Sequence, residues 1–208
     1  KDLGDWVERI EEHFEKIKGE FLALRNDSTG AEVKGKTSEL FQPYRKPKSP
    51  SSIAEISKNE EMGVSATNDC GNWNVIYLNL HDAIDLSENQ SHFPTTLSTL
   101  EEALGISDYN HCFFSALSPQ THVSKHNGPT NKKLRCHLPL IVPKLSDMDP
   151  SSSKSACIIR VGDQIRKVEE GKLIVFDDSF EHEAWNDSTR LPRVVLVFDV
   201  WHPDLSRQ

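Results

Sequence analysis

The sequence predicts a mainly β domain, a sandwich or barrel, with a helical layer at its N-terminal end. Three observations carry this. From residue 112 onward short apolar runs follow one another: CFFSAL, LRCHLPLIV, ACIIRV, QIRKV, KLIVFD and RVVLVFDVW. Turn-rich segments separate them and few helical stretches intervene, which is the spacing of an all-β architecture. Leu3, Trp6, Val7, Ile10, Phe14, Ile17 and Phe21 recur at three- and four-residue steps, so residues 2–24 read as one amphipathic helix. Two of the strands hold one wholly apolar face, which must pack on another layer.

Taken in order, the helix gives way to a polar, irregular stretch over residues 25–70, in which KPKSPSS is loop. NWNVIYLNL (72–80) reads as a strand, and LSTLEEALG as a short helix stopped by Gly105. The run of strands from residue 112 follows, with Gly162-Asp163 marking a hairpin. LSDMDPSSSKS (145–155) is a low-complexity loop between two of them. No internal repeat interrupts this order. The expected organisation is a single domain over 1–208, with 1–70 a helical and irregular extension and 71–208 the β core.

Bulk composition bounds the partners. A chain of 208 residues with 36% hydrophobic and 27% charged residues suits a globular domain with a sizeable core. The formal charge of −8 argues against nucleic acid, whose phosphates need a basic surface. No apolar run reaches membrane-spanning length. Cys70, Cys112, Cys136 and Cys157 are widely spaced, without a Cys-x-x-Cys, which argues against a disulfide framework and a cysteine zinc site. That leans toward a reducing, cytoplasmic setting. The chain opens at Lys1, so an endoplasmic reticulum location stands if an N-terminal anchor was trimmed.

Strand parity points to a site. Arg135, His137, Pro139 and Ile141 share one face of their strand, while Leu134, Cys136, Leu138, Leu140 and Val142 share the other. The last strand repeats this, with Arg193, Val195, Val197, Asp199 and Trp201 opposite Val194, Leu196, Phe198 and Val200. An arginine pointed into a covered interior needs an anion. The bland reading is two arginines at strand ends, reaching solvent. Two arginines with histidines nearby favour a small dicarboxylate, which the planar guanidinium matches. His126 lies just before a strong strand and His182 just past one, and strand ends of a jelly roll can meet at its mouth. Two neutral imidazoles there suit iron or zinc.

At these residues the sequence resembles the catalytic domain of the aspartyl/asparaginyl β-hydroxylase family. HNGPTN, RCHLPL and DDSFEHEAWND keep order and spacing, and the similarity is dense from about Phe114 to Leu205. The resemblance implies an iron(II)- and 2-oxoglutarate-dependent dioxygenase on a double-stranded β-helix, a cupin-like jelly roll. It implies His126 and His182 as the metal ligands, with Gly128 standing where related oxygenases have an acid. Asp178 would pair with a metal-bound water. Arg193, supported by Ser115, would hold the distal carboxylate of 2-oxoglutarate, and Arg135 and His137 would face its other end. Iron(II) with two neutral histidines and the dianionic cosubstrate is formally neutral, so the missing acid is tolerable.

Three departures qualify this. An extra residue between His182 and Arg193 makes Arg190 a rival clamp, although parity points Arg193 inward. The 145–155 loop is an insertion, and the region before Phe114 matches poorly. The implied reaction is hydroxylation of an sp3 carbon, the β-carbon of Asp- or Asn-type residues in a peptide or protein. The alternatives are hydroxylation of a small molecule or lipid acyl chain, halogenation at the vacant metal position, and a cupin-like binding module without turnover.

Overall fold

The computed structural model describes residues 4–26, 40–44, 71–80, 85–105, 111–144 and 156–205. The 145–155 loop, Cys70 and most of the 25–70 stretch therefore lie outside the described residues.

The N-terminal periodicity forms two helices where one was expected: α1 (Trp6–Glu12) and α2 (Phe14–Asn26). The break has a local cause. His13 Nδ1 meets the Arg9 carbonyl at 2.9 Å, the acceptor that a continuous helix would offer to the His13 backbone N–H. That N–H donates instead to the Ile10 carbonyl at 3.2 Å. Both helices still bury the expected face, through Ile10, Ile17 and Phe21. A short α3 (Ser87–Ser91), which has no buried residue and no apolar periodicity, precedes α4 (Pro94–Leu104). Pro94 sits in the first turn, where its missing N–H costs nothing, and Gly105 ends the helix at φ 83°. Glu20 ties α2 to α4 by accepting from the backbone N–H groups of Thr95 (2.7 Å) and Thr96 (2.8 Å) and from the Thr96 hydroxyl (2.6 Å).

The described residues also form ten strands: β1 (Gln42–Pro43), β2 (Trp73–Asn79), β3 (Cys112–Leu117), β4 (Thr121–His126), β5 (Lys133–Ile141), β6 (Cys157–Val161), β7 (Gln164–Lys167), β8 (Ile174–Phe176), β9 (His182–Asn186) and β10 (Arg193–Trp201). They form a six-stranded sheet in the order β1-β2-β3-β10-β5-β8 and a four-stranded sheet in the order β4-β9-β6-β7. All recorded pairings are antiparallel. The large sheet thus reaches back to residues 42–43, ahead of the expected core. Gly162-Asp163 joins β6 to β7 as a two-residue hairpin loop, with Val161 opposite Gln164.

β4 and β9 were not expected as strands. His126 ends the first and His182 begins the second, and the two are register partners. The large sheet buries its outer face under the helices. Leu134, Cys136, Leu138, Leu140, Val194, Leu196, Phe198 and Val200 join Ile10, Ile17, Phe21 and Phe114 in one core. Arg193, Val195 and Val197 face the other way, as the parity of β10 requires. On β5 the parity fails at one end. Ile141, expected beside Arg135, packs on the main core, and Val142, expected with Leu140, packs on the second cluster with Cys157 and Ile159. The pairing passes from Val195↔Pro139 to Val194↔Ile141, so Leu140 is an extra residue that reverses the alternation. Cys112, Cys136 and Cys157 are buried free thiols. Among the described residues no helix is long and apolar enough to cross a membrane.

Candidate active site

The inner faces of the two sheets enclose a pocket. The large sheet contributes Trp73, Phe113, Ser115, Arg135, His137, Arg193, Val195 and Val197, and the small sheet Val123, His126, Ile159, His182 and Ala184. Six of the seven residues singled out in the sequence thus line one cavity: Ser115, His126, Arg135, His137, His182 and Arg193. The seventh, Asp178, lies buried beside it in ion-pair contact with Arg135.

The histidines come from paired strands of the small sheet, with ring centroids 4.1 Å apart. On β4 the register shifts between Val123 and His126, and this irregularity turns both side chains into the pocket. Each ring is oriented from behind. His126 Nδ1 donates to the Ser124 carbonyl at 2.7 Å and His182 Nδ1 to the Phe180 carbonyl at 2.9 Å. A carbonyl can only accept, so Nδ1 carries a proton, and in the neutral form of either ring the lone pair lies on Nε2. Burial, with His126 as the next contributor, lowers the His182 pKa to about 4. Such backbone support of Nδ1 is the usual setting of a metal-ligating imidazole.

Arg193 is 2% exposed, and no ion pair of it with a carboxylate occurs among the described residues. Its Nε is buried without a hydrogen-bond partner. Its hydrogen bond to a neighbouring side chain is long, Nη2 to His137 Nδ1 at 3.5 Å. Burial lowers its pKa, as expected of a cation that lacks an anion. A guanidinium only donates, so His137 Nδ1 is the acceptor and the His137 N–H lies on Nε2. Burial, then Arg193 and Arg135, hold His137 neutral, with a pKa well below 6.5. Nearby, Trp73 Nε1 donates to Ser115 Oγ at 2.9 Å, which leaves the Ser115 O–H to donate elsewhere. Arg190, the rival in sequence, is exposed.

Arg135 lines the same pocket but already holds an anion. Its anion is built into the chain: Nε and Nη2 reach Asp199 Oδ1 and Oδ2 at 2.9 and 3.1 Å. Asp199 is the register partner of Arg135 on β10 and also pairs with Lys133. Arg135 Nη2 then lies 3.3 Å from Asp178 Oδ2. Only Arg193 is left needing an external anion. Burial raises the Asp178 pKa, partly countered by Arg135 and Lys133, and its Oδ1 is buried without a hydrogen-bond partner. Gly128 makes room for this carboxylate. A Cβ at position 128 would overlap the Asp178 carboxyl atoms, and the Gly128 N–H donates to the Asp178 carbonyl at 2.6 Å.

Sequence reasoning missed Trp73 and Phe113 as pocket residues. A signal existed. Trp73, Val75 and Tyr77 alternate with Asn74, Ile76 and Leu78, so both faces of β2 are apolar and both are covered. The second face packs as a cluster of Val75, Phe113, Val195 and Val197 against Tyr44, Trp73 and Tyr77.

Two antiparallel sheets facing one another around a histidine-lined pocket make this a double-stranded β-helix protein of the cupin-like kind. The chain belongs to the aspartyl/asparaginyl beta-hydroxylase family, whose model matches residues 11–203. The mouse aspartyl/asparaginyl beta-hydroxylase is 45% identical over 95 residues, 46% of this chain and 11% of that protein. An ornithine lipid ester-linked acyl 2-hydroxylase of Rhizobium tropici is 35% identical over 131 residues, 63% of this chain and 42% of that protein. This chain therefore spans less than half the length of either relative. Among solved structures, a cupin-like protein of Thermotoga maritima aligns with a TM-score of 0.38 and 12% identity, covering 70% of this chain and 80% of that one.

Proposed function

We propose that this hydroxylase-family domain is an iron(II)- and 2-oxoglutarate-dependent dioxygenase that hydroxylates the β-carbon of an Asp- or Asn-type side chain in a peptide. The single observation that carries the reading is Arg193. A buried guanidinium without a carboxylate, in a pocket that also holds two backbone-oriented imidazoles, asks for an anion that bridges to a metal. The dicarboxylate 2-oxoglutarate meets both demands.

The donor set fits the absent groups. His126 and His182 would hold the iron through Nε2. When bound, iron with 2-oxoglutarate supplies the oxidising chemistry. The chain's residues bind, orient and screen. Arg193 would take the distal carboxylate, and the Ser115 hydroxyl, fixed by Trp73, would donate to the same group. The His137 Nε2–H and Arg135, which line the same pocket, would face the remaining part of the cosubstrate. Asp178 Oδ1, buried and without a partner, would accept a hydrogen bond from a water at the site. Its carboxylate fills the space against Gly128. The peptide substrate is carried over from the name of the mouse relative, and the acyl substrate of the bacterial one is the alternative.

The test is a titration of 2-oxoglutarate into anaerobic, manganese-loaded protein. Arg193→Ala should weaken binding about a hundredfold or more, since breaking a buried charge pair costs about 3–5 kcal/mol. Arg190→Ala should stay within about twofold, because an exposed charge contributes little. Loss of affinity in Arg190→Ala, with Arg193→Ala unaffected, would overturn the assignment. Peptide and acyl substrates are then compared by product mass.

A further inference from the structure

The segment between His182 and Arg193 has an interior anchor that the site described above does not use. Asn186, the last residue of β9, is fully buried. Its Nδ2 shares its two hydrogens among three carbonyls: Leu117 at 2.9 Å, Ser118 at 3.0 Å and Leu191 at 3.1 Å. Its Oδ1 accepts from the Ser188 N–H at 3.2 Å and from Cys157 Sγ at 3.5 Å. Ser188 is buried as well, and its Oγ accepts from the N–H groups of Arg190 (3.1 Å) and Leu191 (3.0 Å). Gln120, held at φ 56°, closes the outside by donating from its backbone to the Ser188 carbonyl at 3.0 Å and from Nε2 to the Asp187 carbonyl at 2.7 Å.

These contacts converge on one backbone position. Leu117 is the register partner of Arg193, and Leu191 lies two residues before it. The amide of Asn186 therefore grips the strand opposite Arg193 and the turn that delivers Arg193, tying both to the small sheet. Among the described residues Arg193 has no short hydrogen bond to fix its side chain. Where its guanidinium stands is decided by where its backbone is held.

We infer that Asn186, acting with Ser188, is a positioning residue for Arg193: it sets the backbone from which the arginine reaches a carboxylate, and so tunes anion affinity without touching the anion. The inference rests on Arg193 being the carboxylate clamp. It separates two ends of one strand. His182 opens β9 and Asn186 closes it, so disturbing Asn186 should harm anion binding and spare the histidines.

The experiment uses the full chain and two probes, manganese alone and 2-oxoglutarate added to the manganese-loaded protein without oxygen. Wild type, Arg193→Ala, Asn186→Ala and Ser188→Ala are compared. Asn186→Ala is expected to weaken 2-oxoglutarate about tenfold or more, the scale on which residues supporting a ligand act, with manganese affinity within about twofold. Ser188→Ala, the gentler change, is expected to weaken 2-oxoglutarate about threefold with manganese unaltered, and it decides the matter if Asn186→Ala does not fold. Unchanged 2-oxoglutarate affinity in the variant that decides, or an equal fall for both probes, overturns the inference, since a general structural role would move both. If wild type does not bind 2-oxoglutarate, or Arg193→Ala binds it as well as wild type, the clamp reading fails instead.

Discussion

At the scale of single residues, Gly128 and Asp178 form one unit. The glycine has no ligating group because the space its side chain would take is filled by a carboxylate from the segment before β9. Gly128→Ala should push that carboxylate aside, and turnover should fall about 10–100-fold, the range seen when a group supporting a metal site is lost. Asp178→Ala should cost a similar factor. The double variant should be no worse than Asp178→Ala alone, because the added methyl then has nothing to displace. Additive losses in that cycle would show that the two positions act separately.

The histidines give a pH prediction at the same scale. Burial lowers His182 to about 4 and His137 well below its ordinary value. Between about pH 6.5 and pH 4 the unfolded chain binds protons at these positions that the folded metal-free protein does not. Stability is therefore present above pH 6.5 and lost as pH falls through that window. His182 alone contributes on the order of 3 kcal/mol. The raised Asp178 carboxyl opposes this in sign, while the depressed Asp199 acts only at lower pH. Thermal melts of metal-free protein from pH 7.5 to 4.5 should show a falling Tm, and a flat profile would contradict the buried neutral rings.

At the scale of elements, legibility in the sequence followed what each strand does. β3, β5 and β10 were readable because each carries a continuous apolar alternation that the large sheet buries under the helices. β4 (THVSKH) and β9 (HEAWN) were not, because the pocket residues displace the apolar ones that would mark a strand, and the irregularity before His126 shifts the period. Arg135 was legible only in part. Its inward direction was legible, whereas its partner Asp199 sits on the neighbouring strand and emerges only with the register. The break at His13 depends on one side chain competing for one carbonyl, which periodicity does not record.

Glu20 shows how an element is fixed from outside. The α4 N-terminus has no side-chain cap of its own, and the α2 carboxylate serves in its place through Thr95 and Thr96. A negative group there satisfies orphan N–H donors and faces the positive end of the helix dipole. Glu20→Ala should cost about 1–2 kcal/mol, the upper range for a lost cap. In a domain of this size that lowers Tm by roughly 2–4 °C per kcal/mol. Calorimetry checks it, and an unchanged Tm would mean that α2 and α4 are held by packing alone.

At the scale of the whole molecule, the strands that build the pocket are the strands that the helices cover. β3 turns Phe114 to the helices and Ser115 to the pocket, β5 turns Cys136 out and His137 in, and β10 turns Val194 out and Arg193 in. The helical layer is therefore part of the site although it touches none of it. Ile10, Ile17 and Phe21 are essentially inaccessible to solvent. Burying each contributes roughly 1.5–3 kcal/mol, and together they rival the marginal stability of a domain, about 5–15 kcal/mol. Removing residues 1–26 should leave a chain that binds a hydrophobic dye, melts without cooperativity and fails to bind 2-oxoglutarate. Phe21→Ala should produce the graded version, about 3–5 kcal/mol of lost stability, with 2-oxoglutarate affinity retained at temperatures where the variant stays folded. A truncated chain that melts cooperatively near the wild-type temperature and keeps its affinity would show that the two sheets stand alone, and the helices would then be an appendage to the barrel.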